Sequence, residues 1–288
     1  MRPAEFNGFA VGTTLFDKLW QEHEVTTLSG RQSLLYIDRI FLHERTGSVA
    51  LNGLLEKQRS VRRREHAFCT MDHIVDTLPG RSDDTLMPSG RDFIVATRHA
   101  AQETGIQLFD IADADQGIVH VISPELGIAL PGLSLICPDS HTCTLGGLGA
   151  LAWGVGSTEA EHALATSTLR VTRPQTMRVS FAGLLGEGVS AKDLILFTIR
   201  ELSASGGAGY AIEFAGPAIE ALPVEARLTL CNMTTELSAF TGLIAPDQKV
   251  LDYCAGRRYA PQGPLWDQAT QYWQSLRSDE GAAFDQEH

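Results

Sequence analysis

Two hydrophobic periods take turns along this chain. Leu15, Leu19 and Trp20 recur at helical spacing behind Thr14, which predicts a capped helix over residues 14–22. Residues 34–38 (LLYID) form a short apolar run of the buried-strand type that ends in charge. Residues 92–105 read as a helix stopped by Gly105. Residues 117–122 are β-branched and close before Pro124, which predicts a strand carrying His120; residues 133–137 predict another. That second strand delivers the chain into Pro138-Asp139-Ser140-His141-Thr142. A glycine-rich stretch over 146–156 follows, then a helix over 157–169 whose first turn Thr158 and Glu161 support.

Pro174 marks a seam. Beyond it, residues 177–181 alternate as a strand, and 190–204 form an amphipathic helix behind a Ser190 cap. The Gly-rich turn 205–209 leads into a strand at 210–214, a short helix at 217–222, and a run from Glu225 into Cys231-Asn232-Met233. Strands alternating with helices predict an α/β protein of two units, 1–174 and 175–288, with mainly parallel sheets and no internal repeat. The polar segment 80–91 reads as a surface loop, and the basic run Arg59, Arg62, Arg63, Arg64 as a solvated loop or helix face.

Composition narrows the function classes. With 288 residues and 43% apolar content the chain can bury one large core or two ordinary ones. A net charge of −12 argues against nucleic acid or an anionic membrane as a partner, since polyphosphate would be repelled. No run approaches the roughly 20 apolar residues of a membrane span. The start, Met1 to Phe6, lacks the apolar core of a signal peptide, so the chain reads as cytoplasmic. Its five cysteines (Cys69, Cys137, Cys143, Cys231, Cys254) are odd in number and irregularly spaced, with no CxxC among them. They predict no disulfide framework and no zinc site.

Titratable groups cluster next to sharp turns in four places: Asp72-His73, His120, Asp139-Ser140-His141, and Asn232 with Glu236. A lone histidine in an apolar strand is usually a satisfied core residue, and Asn232 and Glu236 at i,i+4 spacing also suit a helix surface. Adjacent side chains diverge, so neither Asp is expected to bond the ring beside it. Two Asp-His segments interleaved in space would instead let each carboxylate orient an imidazole of the other. Oriented imidazoles suit proton transfer to a leaving hydroxyl.

In order, the segments 70–73 (TMDH), 116–122 (QGIVHVI) and 137–142 (CPDSHT) with its glycines resemble motifs of the aconitase superfamily. Segments 34–39, 191–193, 209–216 and 231–233 look specifically like isopropylmalate dehydratase large subunits, and the resemblance runs from about Thr14 to Asp285. It implies two aconitase-type three-layer α/β domains. It implies a hydro-lyase that moves a hydroxyl between adjacent carbons of a 2-substituted malate, of the leucine-biosynthesis type. Carried over by position, Asp72 and His73 would assist departure of the hydroxyl. His120 with Asp139, and His141 with Glu236, would form the supporting proton network. Ser140 and Asn232 would lie beside substrate or cluster.

The resemblance also implies a 4Fe-4S cluster as Lewis acid. Its cysteine ligands belong to a further domain, and the five cysteines here match none of them. The expected partners are therefore a small swivelling subunit and a cluster-bearing domain or chain. Two positions depart from the pattern. Val49 stands where a substrate-contacting glutamine is usual, and Leu145 where histidine is common. The alternative reading is a non-catalytic, dicarboxylate-binding or regulatory remnant of the family.

Overall fold

In the computed structural model, which describes residues 12–288, the Thr14 hydroxyl accepts the Asp17 N–H at 3.1 Å. The Asp17 carboxylate accepts the Thr14 N–H in return, so a capping box opens the first helix. That helix, α1 (Leu15–His23), buries Leu15, Leu19 and Trp20 as their spacing requires. β1 (Glu24–Ser29), β2 (Gln32–Tyr36) and β3 (Arg39–His43) follow, then α2 (Glu44–Glu56), β4 (Ala67–Thr70), α3 (Gly90–Thr104) and β5 (Gln107–Phe109). Next are α4 (Val119–Glu125), β6 (Ser134–Cys137), β7 (Leu151–Gly154), α5 (Ser157–Thr166) and β8 (Thr168–Thr172). Past Pro174 lie β9 (Gln175–Ser180), α6 (Ala191–Leu202), β10 (Tyr210–Ala215), α7 (Pro217–Ala221) and α8 (Val224–Asn232). β11 (Thr241–Leu243), α9 (Gln248–Cys254), α10 (Pro264–Ser275) and β12 (Gln286–Glu287) complete the chain.

The strands form three sheets. The order β5-β4-β3-β6-β7 is parallel throughout, and so is β11-β10-β9-β12. β1-β2-β8 is antiparallel. The fold is thus α/β with mainly parallel sheets. β4 and β6 are buried at every position, the pattern of parallel strands covered on both faces.

Two cores result. One gathers α1, the five-stranded sheet and α5, and Val250, Leu251, Trp273 and Leu276 return to it from the far end of the chain. The other, around Met177, Ile195, Ile212, Phe214 and Leu230, lies between the four-stranded sheet and its helices. Between them the glycine-rich segment runs as a 3-10 stretch, Ser140–Leu148. A Cβ on Gly146 would stand 1.7 Å from the Gly242 carbonyl oxygen of β11, and one on Gly147 would stand 2.8 Å from the backbone of Arg227 in α8. Only glycine lets the two backbones meet this closely.

Two expected elements differ. Residues 117–122 do not form a strand; they enter α4. Burial falls on Val119, His120, Ile122 and Ser123 while Ile118 and Val121 are exposed, a helical rather than an alternating pattern. The Asp72 carboxylate accepts the Val119 N–H at 2.7 Å and so holds the start of that helix, overriding the β-branched preference. The helix expected over 157–169 ends at Thr166. Ser167 turns left-handed, and the chain becomes β8. At its start Glu159 caps Gly156 at 2.8 Å, whereas Glu161 reaches away to Lys57.

The basic run is a solvated link between α2 and β4, with one 3-10 turn at Arg64–His66. No described helix is long and apolar enough to cross a membrane. Residues 1–6 lie outside the described residues.

Candidate active site

Parallel strands place their successors at one sheet end, the usual ligand side of such sheets. β3 ends in His43 and passes to Glu44, β4 leads into Met71-Asp72-His73, and β6 leads into Pro138-Asp139-Ser140-His141. His120 arrives on the first turn of α4. Across from these, α8 ends in Asn232 and a 3-10 turn, Met233–Leu237, presents Glu236.

Asp139 is the hub. Its Oδ2 lies 2.9 Å from His73 Nε2, and its Oδ1 lies 2.8 Å from His120 Nε2. Oδ1 also accepts the His141 N–H at 2.7 Å. The interleaving of two Asp-His segments is present, but one expectation was wrong: Asp72 does bond the ring beside it. Asp72 Oδ1 lies 2.7 Å from His73 Nδ1, because the Val119 N–H holds that carboxylate, the Asp72 N–H ties the loop to Glu44, and the loop curls the ring onto Asp72. His73 is therefore gripped by two carboxylates.

Charge follows geometry. The bond to Asp139, then that to Asp72, lifts His73 to a pKa of about 10, so the ring is an imidazolium at neutral pH. Burial alone would raise the Asp139 carboxyl. The bonds from His120 and His73 outweigh that and hold it far below the ordinary carboxylate range. His141 Nε2 stands 3.2 Å from Glu236 Oε1, and its Nδ1 is 3.3 Å from Ser140 Oγ. This pair joins the two halves of the chain. Asn232 faces the same region but spends its amide on Thr144 Oγ1 at 2.8 Å.

Neither His43 nor Glu44 stood out as a chemical group from its spacing in the chain, yet both underlie the site. Glu44 is fully buried, and its carboxylate accepts the backbone N–H groups of Asp72 at 2.9 Å, Val75 at 3.2 Å, and Ile74. His43 stacks on His73 with ring centroids 3.7 Å apart and bonds the Pro138 carbonyl at 3.1 Å. Burial, then the His73 charge, keeps His43 below its ordinary pKa. A charged pair directly after the apolar run Ile40-Phe41-Leu42 was the available signal.

His43, Glu44, Asp72 and His73 also bring donor atoms within 4.8 Å of one another. Amides already occupy the Glu44 oxygens, and carboxylates occupy both His73 nitrogens. The set therefore functions as a hydrogen-bonded frame. The departures from the superfamily pattern lie elsewhere: Val49 is 57% exposed on α2, and Leu145 is wholly buried.

Residues 17–288 match the aconitase family (aconitate hydratase). The chain belongs to that family. Within it, the chain is 50% identical over 276 residues to the 3-isopropylmalate dehydratase large subunit 1 of Bradyrhizobium diazoefficiens. The match covers 96% of this chain and 57% of the relative, so this aconitase-family chain spans little more than half that protein's length.

Proposed function

We propose that this chain supplies the histidine–carboxylate half of a hydro-lyase of the 3-isopropylmalate dehydratase type, acting by dehydration and rehydration on a 2-substituted malate. The observation that carries the reading is the Asp139 hub, with a charged His73 facing outward beside the His141–Glu236 pair. Identity to a dehydratase large subunit supports it.

In this reading the His73 imidazolium, with both N–H groups held by Asp72 and Asp139, assists the departing hydroxyl through its positive charge. Ser140, exposed at the rim, contacts a substrate carboxylate or hydroxyl through Oγ. His141, steadied by Glu236, and His120, steadied by Asp139, complete the proton network. Asn232 lies alongside. Residues 1–174 and 175–288 are taken as the two units that share this cleft.

The five cysteines do not suit an iron–sulfur cluster. All are free and buried, and no group of three potential ligands among the described residues includes any of them. Burial, the first cause at each, pushes every thiol up: Cys143 to about 11, Cys254 to about 12, and Cys69, Cys137 and Cys231 well above the ordinary value. Cluster ligands are thiolates, which these are not. The cluster and the small subunit are therefore assigned to polypeptide sequence outside these 288 residues. Free thiols suit a reducing cytoplasm.

The test is reconstitution with a cluster-bearing chain and a small subunit, following interconversion of the isopropylmalate isomers by NMR. Turnover lost in His73→Gln and Asp139→Asn supports the reading. Binding of 2-isopropylmalate without any turnover in the reconstituted complex overturns it in favour of a dicarboxylate-binding module.

A further inference from the structure

The basic link between α2 and β4 plays no part in the site above and stands at the other end of the same sheet. β3 and β4 run parallel, so Arg39 and His66 lie at their amino ends, while His43 and the Asp72 loop lie at their carboxyl ends. Four residues of strand separate Arg39 from His43, roughly 13 Å.

Cationic groups converge there, and one of them, Arg63, is paired with Glu65. Arg63 Nη2 stands 3.4 Å from His66 Nε2, and its Nη1 stands 3.5 Å from the Tyr36 hydroxyl. A guanidinium only donates, so His66 Nε2 accepts and the ring proton sits on Nδ1. That Nδ1 is buried with no partner among the described residues, and so is Arg39 Nε. Arg39 otherwise makes a long 3.4 Å contact to the Asp38 carbonyl.

The nearby acids are occupied. The Asp38 carboxylate is held by His23 at 2.7 Å and by Ser134, and Glu65 lies out in solvent on Arg63 at 2.6 Å. Arg64 turns away, packing where a Cβ on Gly105 at the end of α3 would come within 3.3 Å of its Nη1. Like charge adds to burial at His66 and Arg39, whereas the bond to Glu65 raises the Arg63 pKa. Burial, then Arg39 and Arg63, depress the His66 imidazole despite Glu65 and Asp38. Burial, with Arg63 adding to it, depresses Arg39 against the pull of Asp38, Tyr36 and Glu65. In a chain of net charge −12 such a concentration runs against the average.

We propose that Arg39, Arg63 and His66, with the Tyr36 hydroxyl, form a binding site for a small phosphate-type dianion, on the sheet end opposite the hydro-lyase cleft. A guanidinium fork matches two phosphate oxygens, the hydroxyl donates to a third, and the anion relieves the repulsion between the Arg39 and Arg63 cations. It also makes the protonated form of His66 favourable.

Histidine NMR on the full chain tests this, with the His66 signal assigned by loss in His66→Gln. Inorganic phosphate is titrated against sodium chloride at matched ionic strength. Phosphate should raise the His66 midpoint by at least half a pH unit where chloride does not. Arg63→Gln should weaken phosphate binding at least tenfold, and Arg63→Lys, which keeps charge but loses the fork, should fall between. Glycerol phosphate binding as tightly as inorganic phosphate would point to a phosphorylated metabolite, and weaker binding to free phosphate. A phosphate effect no larger than chloride's overturns the proposal. So does phosphate affinity unchanged in a folded Arg63→Gln protein.

Discussion

The Asp72 backbone N–H donates to Glu44 Oε2 at 2.9 Å, so a buried acid at the end of one strand sets the loop that follows the next. The Ile74 and Val75 amides close on the same carboxylate. The loop so fixed is the one that aims His73 at Asp139.

Glu44→Ala should therefore be costly twice over. Three buried amides lose their acceptor, which costs about 3 kcal/mol or more in denaturant unfolding. Where the variant still folds, the His73 titration midpoint should drop, because the ring no longer sits squarely between its carboxylates. Glu44→Gln keeps one acceptor oxygen and should recover much of both effects. If both variants unfold more easily yet leave His73 titrating as before, Glu44 supports the fold and not the site.

Asp139→Asn removes the main cause of the His73 shift and should bring its midpoint down from about 10 toward the ordinary histidine value near 6.5. The sign follows from linkage. A raised folded-state pKa contributes stability that is fully present below about 6.5 and is lost as pH rises through about 10. The wild type should thus lose this share of its stability between those values, and Asp139→Asn should lose little there. Unfolding midpoints of the two proteins across that range give the measurement. On the proposed hydro-lyase reading, turnover of the reconstituted complex should fall about 100-fold or more.

Gly146 tests how the two halves of the cleft are kept in register. An added Cβ would overlap the Gly242 carbonyl oxygen, so Gly146→Ala must push the 3-10 segment off β11. It should break the 2.9 Å bond from the Ile244 N–H to the Gly146 carbonyl and separate His141 from Glu236. Destabilisation of about 3 kcal/mol fits the overpacking involved. NMR of His141 should show it no longer responding to Glu236→Gln; a response equal to wild type would refute the coupling.

Much of this architecture was readable because local and tertiary preferences agree. Thr14 and Ser190 cap the helices their sequences announce, and β6 and β10 are apolar runs bounded by turns. Residues 117–122 misled because β-branched residues favour a strand only until something holds their backbone otherwise, and the Asp72 carboxylate does so from 47 residues away. The candidate site residues announced themselves as titratable groups beside turns, one of them the Asp72-His73 dipeptide. Glu44 did not, since its role lies in amides of a distant loop, and no spacing in the chain encodes that. Leu15 N–H to Ser278 Oγ, at 2.7 Å, is a similar long-range tie with no sequence signature.

Ser278 also leads to a buried, shifted carboxyl outside the cleft. Its hydroxyl donates to Glu213 Oε2 at 2.7 Å, at the buried centre of β10. Burial pushes Glu213 up to about 7, against the smaller opposing effects of Ser278 and Arg178. Below about 4.5 the carboxyl is protonated both folded and unfolded, and its burial costs nothing extra. As pH rises toward 7 the unfolded chain ionises first and the folded state falls behind, so stability drops across that window and levels off above it. The full difference corresponds to about 3 kcal/mol. Glu213→Gln cannot ionise and still offers Ser278 an acceptor. Its unfolding free energy relative to wild type should therefore improve by about 3 kcal/mol between pH 4.5 and pH 8. Denaturant melts of both proteins at the two pH values decide it. An unchanged gap would mean that Glu213 is solvated well enough to ionise in place, and that its link to α1 through Ser278 carries no pH dependence.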